Sequence, residues 1–556
     1  MSETNSVRPV QSSLKPVQSV ARQGFGKILE PFTSQRQYNL ENPEEEKVVA
    51  KTEEVKTQHW YDGFVRLFYW YPSYMPKDEK ILLFKLDVIL LLYVCSSYFT
   101  KSLDKSNLIK GYNSNMDVAI NFNGNDLSYA KSLYSAGYIV SMCMGMMLVT
   151  RPWAQYSLPV LETIWGVLTF CEGVAKNSSQ MFALRFLIGL AEGPIFPSVV
   201  YTIGSWYKRN ELYRRMMCFS VSASIGGIFS GFLQSAAFQH LDGKGGYEGW
   251  QWGFFIDGIF TVPIALLGFA FYPGSLEQSG KVWWLKKSEK KLAHTRMVLS
   301  GVRPASTKLS WNLVKRVFLR WHVHYFTMFW VLLNIVALPD GTAFDLWLKE
   351  AGYDESQRTN YPSFQSVTGI VVQFFVAGLS DTFPPYIFLT IVQSLFIISY
   401  ASLAAWNIPV GWRWVCYMIV GLDTCNQTLV SGQINRSVRR DADERAFVIG
   451  FSDAVSQAMN IWTNIAFYPT SKAPEFHLGF IISTIAAAIM LVMPLFQYFL
   501  DNWDIRRYAA DDLEFARAHN AIPGESDSDS DSKIEDVKVT SDVREASVHS
   551  GRSSSA

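Results

Sequence analysis

The chain has 556 residues, of which 49% are hydrophobic, 15% are aromatic and only 18% are charged. Soluble proteins carry charge on about a quarter of their residues, so this composition argues against an ordinary soluble domain. The formal net charge of +1 excludes the basic field of a nucleic-acid-binding protein. The six cysteines lie in apolar stretches without any paired spacing, which favours buried thiols over disulfides or a zinc site. No metal or other cofactor is expected.

Residues 1–58 are polar and rich in Ser, Gln, Glu and Lys, and we predict that they form a disordered cytosolic arm. The first residues, MSETNSVRPVQSSLKPV, lack the apolar core of a cleavable signal peptide. Membrane insertion is therefore expected to rely on the first spanning helix.

Apolar stretches of about 20 residues, the length that crosses a bilayer, follow this arm. Six are predicted within 59–272 and six within 321–505, so the predicted fold is an all-α polytopic membrane protein of two six-helix bundles. Pro339 and Asp340 interrupt the seventh stretch, and the eighth is short and rich in Gln. The twelve stretches centre on 83–104, 127–150, 158–176, 181–203, 215–236, 251–272, 322–344, 361–380, 385–406, 413–434, 446–468 and 477–500.

The predicted cytosolic linker between the bundles, residues 273–320, carries eleven Lys or Arg against two Glu. Further basic loops lie at 208–215 and 436–445. All three fall on the cytosolic side if both termini are cytosolic, as the positive-inside rule requires. The basic stretch KSLDKSNLIK at 101–110 would lie outside, unless the first helix continues through it and its charges face a cavity.

Two charges lie inside the fourth apolar stretch. Arg185 and Glu192 are seven residues apart, which places them on one helix face about 10 Å apart along the axis. A charge at the membrane centre costs a few kcal/mol, so such residues usually face a cavity or an opposite charge. The prolines of Gly193–Pro197 loosen the helix directly beyond them, which favours a ligand-facing site. Alternatively, Arg185 snorkels to the interface and Glu192 is a structural ion-pair partner.

A second charged cluster, Asp104, Lys105 and Asn107, ends the first apolar stretch. Successive residues point about 100° apart on a helix, so one charge can face a substrate while the other meets a partner. A carboxylate in a partly dry cavity can exchange a proton near neutral pH. An anionic substrate would pair with the Lys105 ammonium or the Arg185 guanidinium. Alternatively, the cluster is an exposed loop of ordinary charges.

The second half of the chain carries amides and acids within its apolar stretches. Asp453, Gln457, Asn460 and Asn464 recur at spacings of four, three and four, which places them on one face of the eleventh helix. Together with Gln427 on the tenth, this stripe either lines a permeation path or joins helices through hydrogen bonds. The other polar residues of these stretches are Gln365, Gln373, Asp423 and Asn426.

Several motifs resemble those of the anion:cation symporter family of the major facilitator superfamily, in the right order over roughly 80–505. The long arms and the last motif resemble the fungal branch, whose members take up vitamins and related carboxylates such as pantothenate, biotin, nicotinate and allantoate. The motifs are LDKSNL at 103–108, RFLIGLAEGPIFPSVVYTIGSWYKRNE at 185–211, GWQWGFFIDG at 249–258, NRSVRRDADERAFVIG at 435–450 and YPTSKAPEFHLGF at 468–480.

The resemblance implies a major facilitator fold, in which two bundles surround a cavity that opens alternately to each side of the membrane. It implies that Asp104 and Glu192 carry protons and that Lys105 and Arg185 face the substrate. The polar patterns add further substrate-binding candidates, namely Asn107, Gln427, Asn460 and Asn464.

The chain departs from the family pattern at three places. Lys105 stands where Arg is commoner, which removes a bidentate fork for a carboxylate. The loop between the second and third stretches, MMLVTRPWAQY, keeps Arg151 but has no acid. Its counterpart after the eighth stretch, GLSDTFPPY, keeps Asp381 but lacks the basic residues after it.

The predicted function is proton-coupled uptake of a small organic anion across the fungal plasma membrane, with pantothenate as the first candidate and biotin as the second. Nicotinate, allantoate, a uniporter, an anion exchanger and a transporter-like nutrient receptor are the alternatives. An enzyme is not expected, because the sequence has no HxxxxD or HExxH motif and its eight histidines are dispersed.

The segment 506–556 is predicted to be a disordered, acidic and Ser-rich cytosolic tail. Ser and Asp alternate over 526–532, a pattern typical of acidic-directed phosphorylation, so a kinase is a candidate partner. The alternative is a solvated tail without regulation.

Overall fold

The computed structural model describes residues 70–518, apart from short gaps. Within these residues the chain is helical and contains no β-strand. The predicted arm 1–58, the phosphorylation tract 526–532 and the rest of the chain beyond 518 lie outside the described residues. The gaps are 72–74, 113–115, 123–125, 149–150, 152, 209, 277–281, 304–310, 338–341, 354, 382 and 469–474.

The first half of the described chain contains six long helices. Helix α1 runs without a break through an α-helical, a π-helical and a second α-helical segment, and α4 consists of two segments joined at Gly193 and Pro194. The helices are α1 (Lys77–Lys85, Leu86–Leu91 and Leu92–Gly111), α2 (Asp126–Leu148), α3 (Ala154–Glu172), α4 (Ser178–Glu192 and Ile195–Trp206), α5 (Leu212–Leu241) and α6 (Gly249–Phe271).

Six further long helices follow the linker within the described residues. Helix α7 ends at Ala337, shorter than the predicted 322–344, and a separate helix Thr342–Glu350 follows the undescribed residues around Pro339. The helices are α7 (Trp321–Ala337), α8 (Glu355–Ser380), α9 (Pro385–Ala405), α10 (Val410–Val420 and Asp423–Ser437), α11 (Ala442–Phe467) and α12 (His477–Ala518).

Local sequence explains where several helices begin. The Asn177 side chain accepts a hydrogen bond from the Gln180 backbone N–H at 3.0 Å and so caps α4. At the start of α6, the Gln251 side chain accepts from the Glu248 backbone N–H at 2.8 Å. Prolines lie at the first position of α9 and just before α10, where a missing N–H costs nothing.

The predicted two-bundle helical fold is confirmed. By length and hydropathy alone, seven of the described helical stretches can cross a membrane, among them α1, the whole of α4, and α12. Several others interrupt their apolar face with buried polar groups, as α3 does with Glu162 and Glu172. The first helix also continues through 101–110, so this stretch is not a loop: Lys101 and Asp104 are buried, and Lys105 borders the cavity.

The bundle boundaries stay predictions, although two helices extend beyond them. Helix α12 continues to Ala518, past residue 505, where the sequence predicts the end of the second bundle. The predicted linker 273–320 contains two short helices, Lys287–Leu299 and Trp311–Phe318. The first is tied to the first bundle because Arg296 pairs with Glu79 and with Glu211, each at 2.6 Å.

The two bundles meet along two equivalent helix pairs, and adding six to the number of a helix in the first bundle gives its counterpart in the second. Helix α2 packs against α11 and α5 packs against α8, so the arrangement is pseudo-symmetric. Helix α5 and the second segment of α4 also contact α10. These pairs surround a space between the bundles.

The bundles are joined at the end of the molecule where the linker lies, which we call the linker end. The Arg214 side chain lies 3.3 Å from Asp381, which also accepts from the Tyr213 backbone N–H at 2.9 Å. Asp381, on the loop after α8, thus keeps a contact between bundles although the basic residues of its motif are missing. Nearby, Gly204 is so close to Asn435 of α10 that a Cβ at position 204 would overlap the Asn435 side chain.

Candidate transport site

A cavity of about 500 Å³ lies between the two bundles. Helices α1, α2, α4 and α5 form one wall, while α7, α10 and α11 form the other. This volume falls within the range of sites for small organic ligands, roughly 300–1,000 Å³. The cavity is therefore large enough to hold a small organic ligand.

The cavity lies away from the linker end. Its lining includes Ile109 near the end of α1, Lys131 near the start of α2 and Ala337 at the end of α7, all of which lie at the opposite end of the bundles. Ile109, Lys105 and Lys131 are exposed there. The contacts between bundles thus close the side toward the linker.

Lys101 is the most enclosed ammonium of the cavity wall. It is 7% exposed, and its Nζ donates to the Tyr138 hydroxyl at 2.7 Å. The same Nζ lies 4.4 Å from the centre of the Tyr138 ring and 5.4 Å from that of Tyr98. Among the described residues, no carboxylate oxygen lies within 4.0 Å of the Lys101 Nζ, the distance limit for an ion pair. A buried cation held only by phenol groups is poorly compensated.

Arg185 already has two carboxylate partners. Its guanidinium lies 3.2 Å from Asp104 and 2.6 Å from Glu172, and all three residues are buried. Thr169 donates a further hydrogen bond to Asp104 at 3.2 Å. Arg185 borders the cavity, but its charge is engaged inside the bundle, so neither interface snorkelling nor a free substrate-facing guanidinium describes it.

Asn107 is also engaged inside the first bundle. Its Nδ2 donates to Asp257 of α6 at 2.7 Å, and its Oδ1 accepts from the Ser230 hydroxyl of α5 at 2.7 Å. Asn107 is buried and lies outside the cavity lining, so the structure places it between helices rather than at the cavity wall.

Glu192 has one satisfied and one unsatisfied carboxylate oxygen. Its Oε2 accepts from the Tyr134 hydroxyl at 2.5 Å, and its Oε1 is buried without a hydrogen-bond partner among the described residues. Tyr134 itself lines the cavity, so a phenol group connects Glu192 to the space where a ligand would lie. A neutral, protonated carboxyl group suits such surroundings better than a carboxylate.

The wall formed by the second bundle carries two acids, Asp423 and Asp453, and several amides. Asp453 and Gln457 of α11 contact each other at 3.2 Å, and Asn334 of α7 donates to the Ser456 hydroxyl at 2.7 Å. Gln427 reaches across the cavity toward the Tyr98 hydroxyl at 3.5 Å. The polar stripe of α11 therefore faces the cavity through Asp453 and Gln457, as one of the two sequence interpretations proposed.

The structure brings only part of the predicted set to the cavity. Lys105, Arg185 and Gln427 line it, whereas Asp104 and Glu192 lie behind the lining. Asn460 belongs to the same helix as Asp453 but is not part of the lining, and the Asn464 side chain lies outside the described part of the chain.

Sequence reasoning missed Lys101, Tyr134 and Tyr138. A signal for Lys101 existed, because it precedes Lys105 by four residues and so shares its helix face. The two tyrosines, four residues apart on α2, gave no comparable signal since aromatic residues are abundant throughout the chain.

Comparison with known proteins gives consistent matches. The sequence profile of the Major Facilitator Superfamily matches residues 94–464. The chain is 32% identical over 416 residues to "MFS transporter PfmaC" of Pestalotiopsis fici, covering 74% of this chain and 78% of that protein. It is 31% identical over 411 residues to "Pantothenate transporter FEN2" of Saccharomyces cerevisiae, covering 72% and 80%. It is 29% identical over 452 residues to "Vitamin H transporter" of the same yeast, covering 78% and 74%.

Among solved structures, the proton:xylose symporter XylE bound to 6-bromo-6-deoxy-D-glucose superposes with a TM-score of 0.60 at 12% sequence identity. The match covers 74% of this chain and 95% of that chain. At this identity the likeness shows the fold alone, and it agrees with the helix bundles described above.

Proposed function

Because the chain belongs to the Major Facilitator Superfamily and is therefore a multi-pass membrane transporter rather than an enzyme, we propose that it takes up a small organic anion together with a proton. Pantothenate is the first candidate and biotin the second, since two curated relatives are named for pantothenate and vitamin H. The plasma membrane is the proposed location, with both termini and the linker end facing the cytosol.

The observation that carries this proposal is the state of Lys101. Its ammonium lies at the cavity wall, almost fully enclosed, with phenol groups as its contacts. An incoming carboxylate would supply the missing opposite charge and form a charge-assisted hydrogen bond. Lys105, on the same face one turn further along α1, would guide the anion inward. We therefore assign the primary anion contact to Lys101 and a secondary one to Lys105.

Proton coupling is proposed to arise from the charge balance of the first bundle. Asp104, Glu172, Glu192 and Asp257 are all buried there, and Arg185 is the guanidinium that they share. Four ionised carboxylates against Arg185 and the buried Lys101 would leave at least two buried negative charges uncompensated, at a cost of several kcal/mol each. Some of these groups must therefore hold protons. Glu192 is the proposed exchanging group, because Tyr134 connects it to the cavity.

Coupling follows from desolvation. An anion alone on Lys101, or a proton alone on Glu192, changes the net charge of the enclosed space by one unit. Both together leave it unchanged, so the loaded cavity closes at a lower cost than the half-loaded one.

The test is uptake of labelled pantothenate, with labelled biotin in parallel, by cells that lack their own carriers, at external pH 5 and pH 7.5. Wild type should transport faster at pH 5, and Glu192→Gln should remove the pH dependence. Lys101→Gln should weaken uptake at both pH values, mainly through KM, by about 10- to 100-fold for a lost hydrogen bond between charged groups.

Matched controls are Glu350→Gln and Lys287→Gln, which change the same residue types at exposed positions away from the cavity. Both should retain wild-type kinetics. Uptake that is indifferent to pH and to Glu192→Gln would leave a uniporter. No uptake of either vitamin despite surface expression would contradict the substrate proposal and favour a nutrient receptor.

A further inference from the structure

The two walls of the cavity offer opposite hydrogen-bonding chemistry. The wall of the first bundle offers donors, since Lys101 and Lys105 are ammonium groups with no acceptor capacity. The Tyr98 hydroxyl accepts from Gln427 at 3.5 Å, so its own hydrogen is free to point elsewhere.

The wall of the second bundle offers acceptors, because its amide nitrogens are engaged within the protein. Asn334 Nδ2 donates to the Trp330 carbonyl at 3.2 Å and to the Ser456 hydroxyl at 2.7 Å, which engages both of its hydrogens. Gln457 Nε2 donates to Asp453 Oδ1 at 3.2 Å. The hydrogen bonds of these side chains to the described residues do not involve the oxygens Asn334 Oδ1, Gln457 Oε1 and Asp453 Oδ2, and all three residues line the cavity.

Asp453 is the more deeply buried of the two acids on this wall, the other being Asp423. It is 3% exposed, and no ammonium or guanidinium of the described residues lies within the 4.0 Å of an ion pair. It nevertheless lies near enough to Lys101 to interact with it electrostatically. The cavity thus separates a buried cation on one wall from a buried acid on the other, and a ligand must satisfy both.

We propose that this site selects carboxylates that carry hydroxyl, amide or ureido hydrogens at their far end. The inference rests on the proposed function, in which Lys101 receives the carboxylate. The far end of the ligand then donates to Asp453, and to the amide oxygens of Asn334 and Gln457. A carboxylate without such hydrogens would leave the acceptor wall buried and unpaired, which a site built for hydrogen bonding penalises heavily.

This requirement separates the candidate substrates. Pantothenate carries two hydroxyl groups and an amide N–H, biotin carries two ureido N–H groups, and allantoate carries several N–H groups. Nicotinate has no hydrogen-bond donor on its ring, so it is predicted to be a poor ligand.

The test uses purified full-length protein in detergent and measures Kd by calorimetry. Pantothenate is compared with N-(3,3-dimethylbutanoyl)-β-alanine, which lacks only the two hydroxyls, and biotin is compared with octanoate. Wild type should bind pantothenate and biotin, which carry the donors, about 10- to 100-fold more tightly than their respective analogues. This is the usual effect of losing one or two hydrogen bonds to a charged acceptor. Asp453→Asn should bring that ratio toward one.

The ratio of the two Kd values in each pair shows whether Asp453 determines specificity. If Asp453 had only a structural or charge-balancing role, its substitution would weaken the binding of both compounds of a pair equally. Gln457→Met, which removes an acceptor and adds no charge, gives a second test if Asp453→Asn fails to fold. Equal binding of both members by wild type, or a ratio that survives both substitutions, would overturn the inference and leave the proposed function standing. A folded wild type that binds none of the four carboxylates would overturn both.

Discussion

The two bundles share a helical layout but differ in what they bury. The interior of the first bundle holds charged groups, with Arg185 between Asp104 and Glu172, and with Glu192 nearby. The second bundle also buries charge, at Asp453 and where His322 contacts Glu444, but its interior between α8, α9 and α10 is joined by neutral amide contacts. Gln373 donates to Thr428 at 2.5 Å and Gln393 donates to Asn426 at 2.9 Å.

This difference separates two tasks. Carboxyl groups can change their protonation with the state of the cavity, whereas side-chain amides do not titrate and keep the same donors and acceptors. We infer that the charged cluster of the first bundle responds to protons and that the amide contacts of the second bundle form a fixed framework behind the ligand site. The predictions below test this division, beginning with the largest expected effect.

Arg185→Leu should be the most damaging single change, because it leaves Asp104 and Glu172 buried without their cation. Breaking a buried pair in this way costs about 3–5 kcal/mol. Thermal unfolding in detergent measures the effect, and the exposed Arg507→Leu serves as the control. Adding Asp104→Asn and Glu172→Gln to Arg185→Leu should recover much of the loss. If Arg185→Leu alone were as stable as wild type, the buried charge cluster would be refuted.

Asp381 tests a contact in which an acid of the second bundle meets the first. It lies on the loop outside the spanning helices, and burial raises its pKa to about 7, although Arg214 and the Tyr213 N–H favour the carboxylate. A raised pKa means that stability from this group is present at low pH and is lost as pH rises toward 7. The expected change is on the order of 3 kcal/mol between pH 4 and pH 7.

Asp381→Asn resembles the protonated acid, so its melting temperature should match that of wild type near pH 4 and exceed it at pH 8. Thermal unfolding at the two pH values measures this. A variant that is less stable than wild type at pH 8 would mean that the ion pair with Arg214 outweighs burial.

Gln393→Leu tests the neutral interior of the second bundle. It removes the donor to Asn426 Oδ1, and a buried polar group left unpaired costs about 1–3 kcal/mol. The loss should be independent of pH between 5 and 8, in contrast to changes in the first bundle. Chemical or thermal unfolding of the variant and of Gln393→Leu with Asn426→Leu measures it. A cost equal to that of Arg185→Leu would remove the distinction between the bundles.

Glu289→Gln should have the smallest effect. Glu289 of the linker helix pairs with Lys85 at 2.7 Å, but the Lys85 side chain is 28% exposed, so solvent weakens the pair. Such pairs contribute about 0–1 kcal/mol and lose strength in salt. Unfolding at low and high ionic strength measures it, and a loss above that range would show that the linker stabilises the closed end.

Much of the fold followed from the sequence, because apolar runs of bilayer length have few other outcomes. The interrupted end of α7 was also visible in Pro339, which cannot donate a helical hydrogen bond. The extension of α12 to Ala518 was not, since its last turns are polar and look like a tail.

The candidate site was harder to predict. Charge in an apolar stretch marked Arg185 and Glu192, but the sequence does not say which charges meet. Arg185 finds both of its partners within the bundle, one of them Glu172, thirteen residues earlier on α3. Lys101 was hidden in a stretch that reads as a basic loop until the helix is seen to continue. Pairing across helices depends on rotation and depth, which no spacing along one helix fixes.

Gly204 has a consequence for how this protein tolerates change. With Asn435 against its Cα, even a methyl group at this position would act as a wedge, and the wedge would act only while the linker end is shut. In a conformation where the bundles part there, the same methyl group would be harmless. A substitution at 204 should therefore reduce the population of the conformation closed at the linker end, and leave the other conformation intact. The size of the effect of such a substitution on transport would report the fraction of molecules that are closed at the linker end.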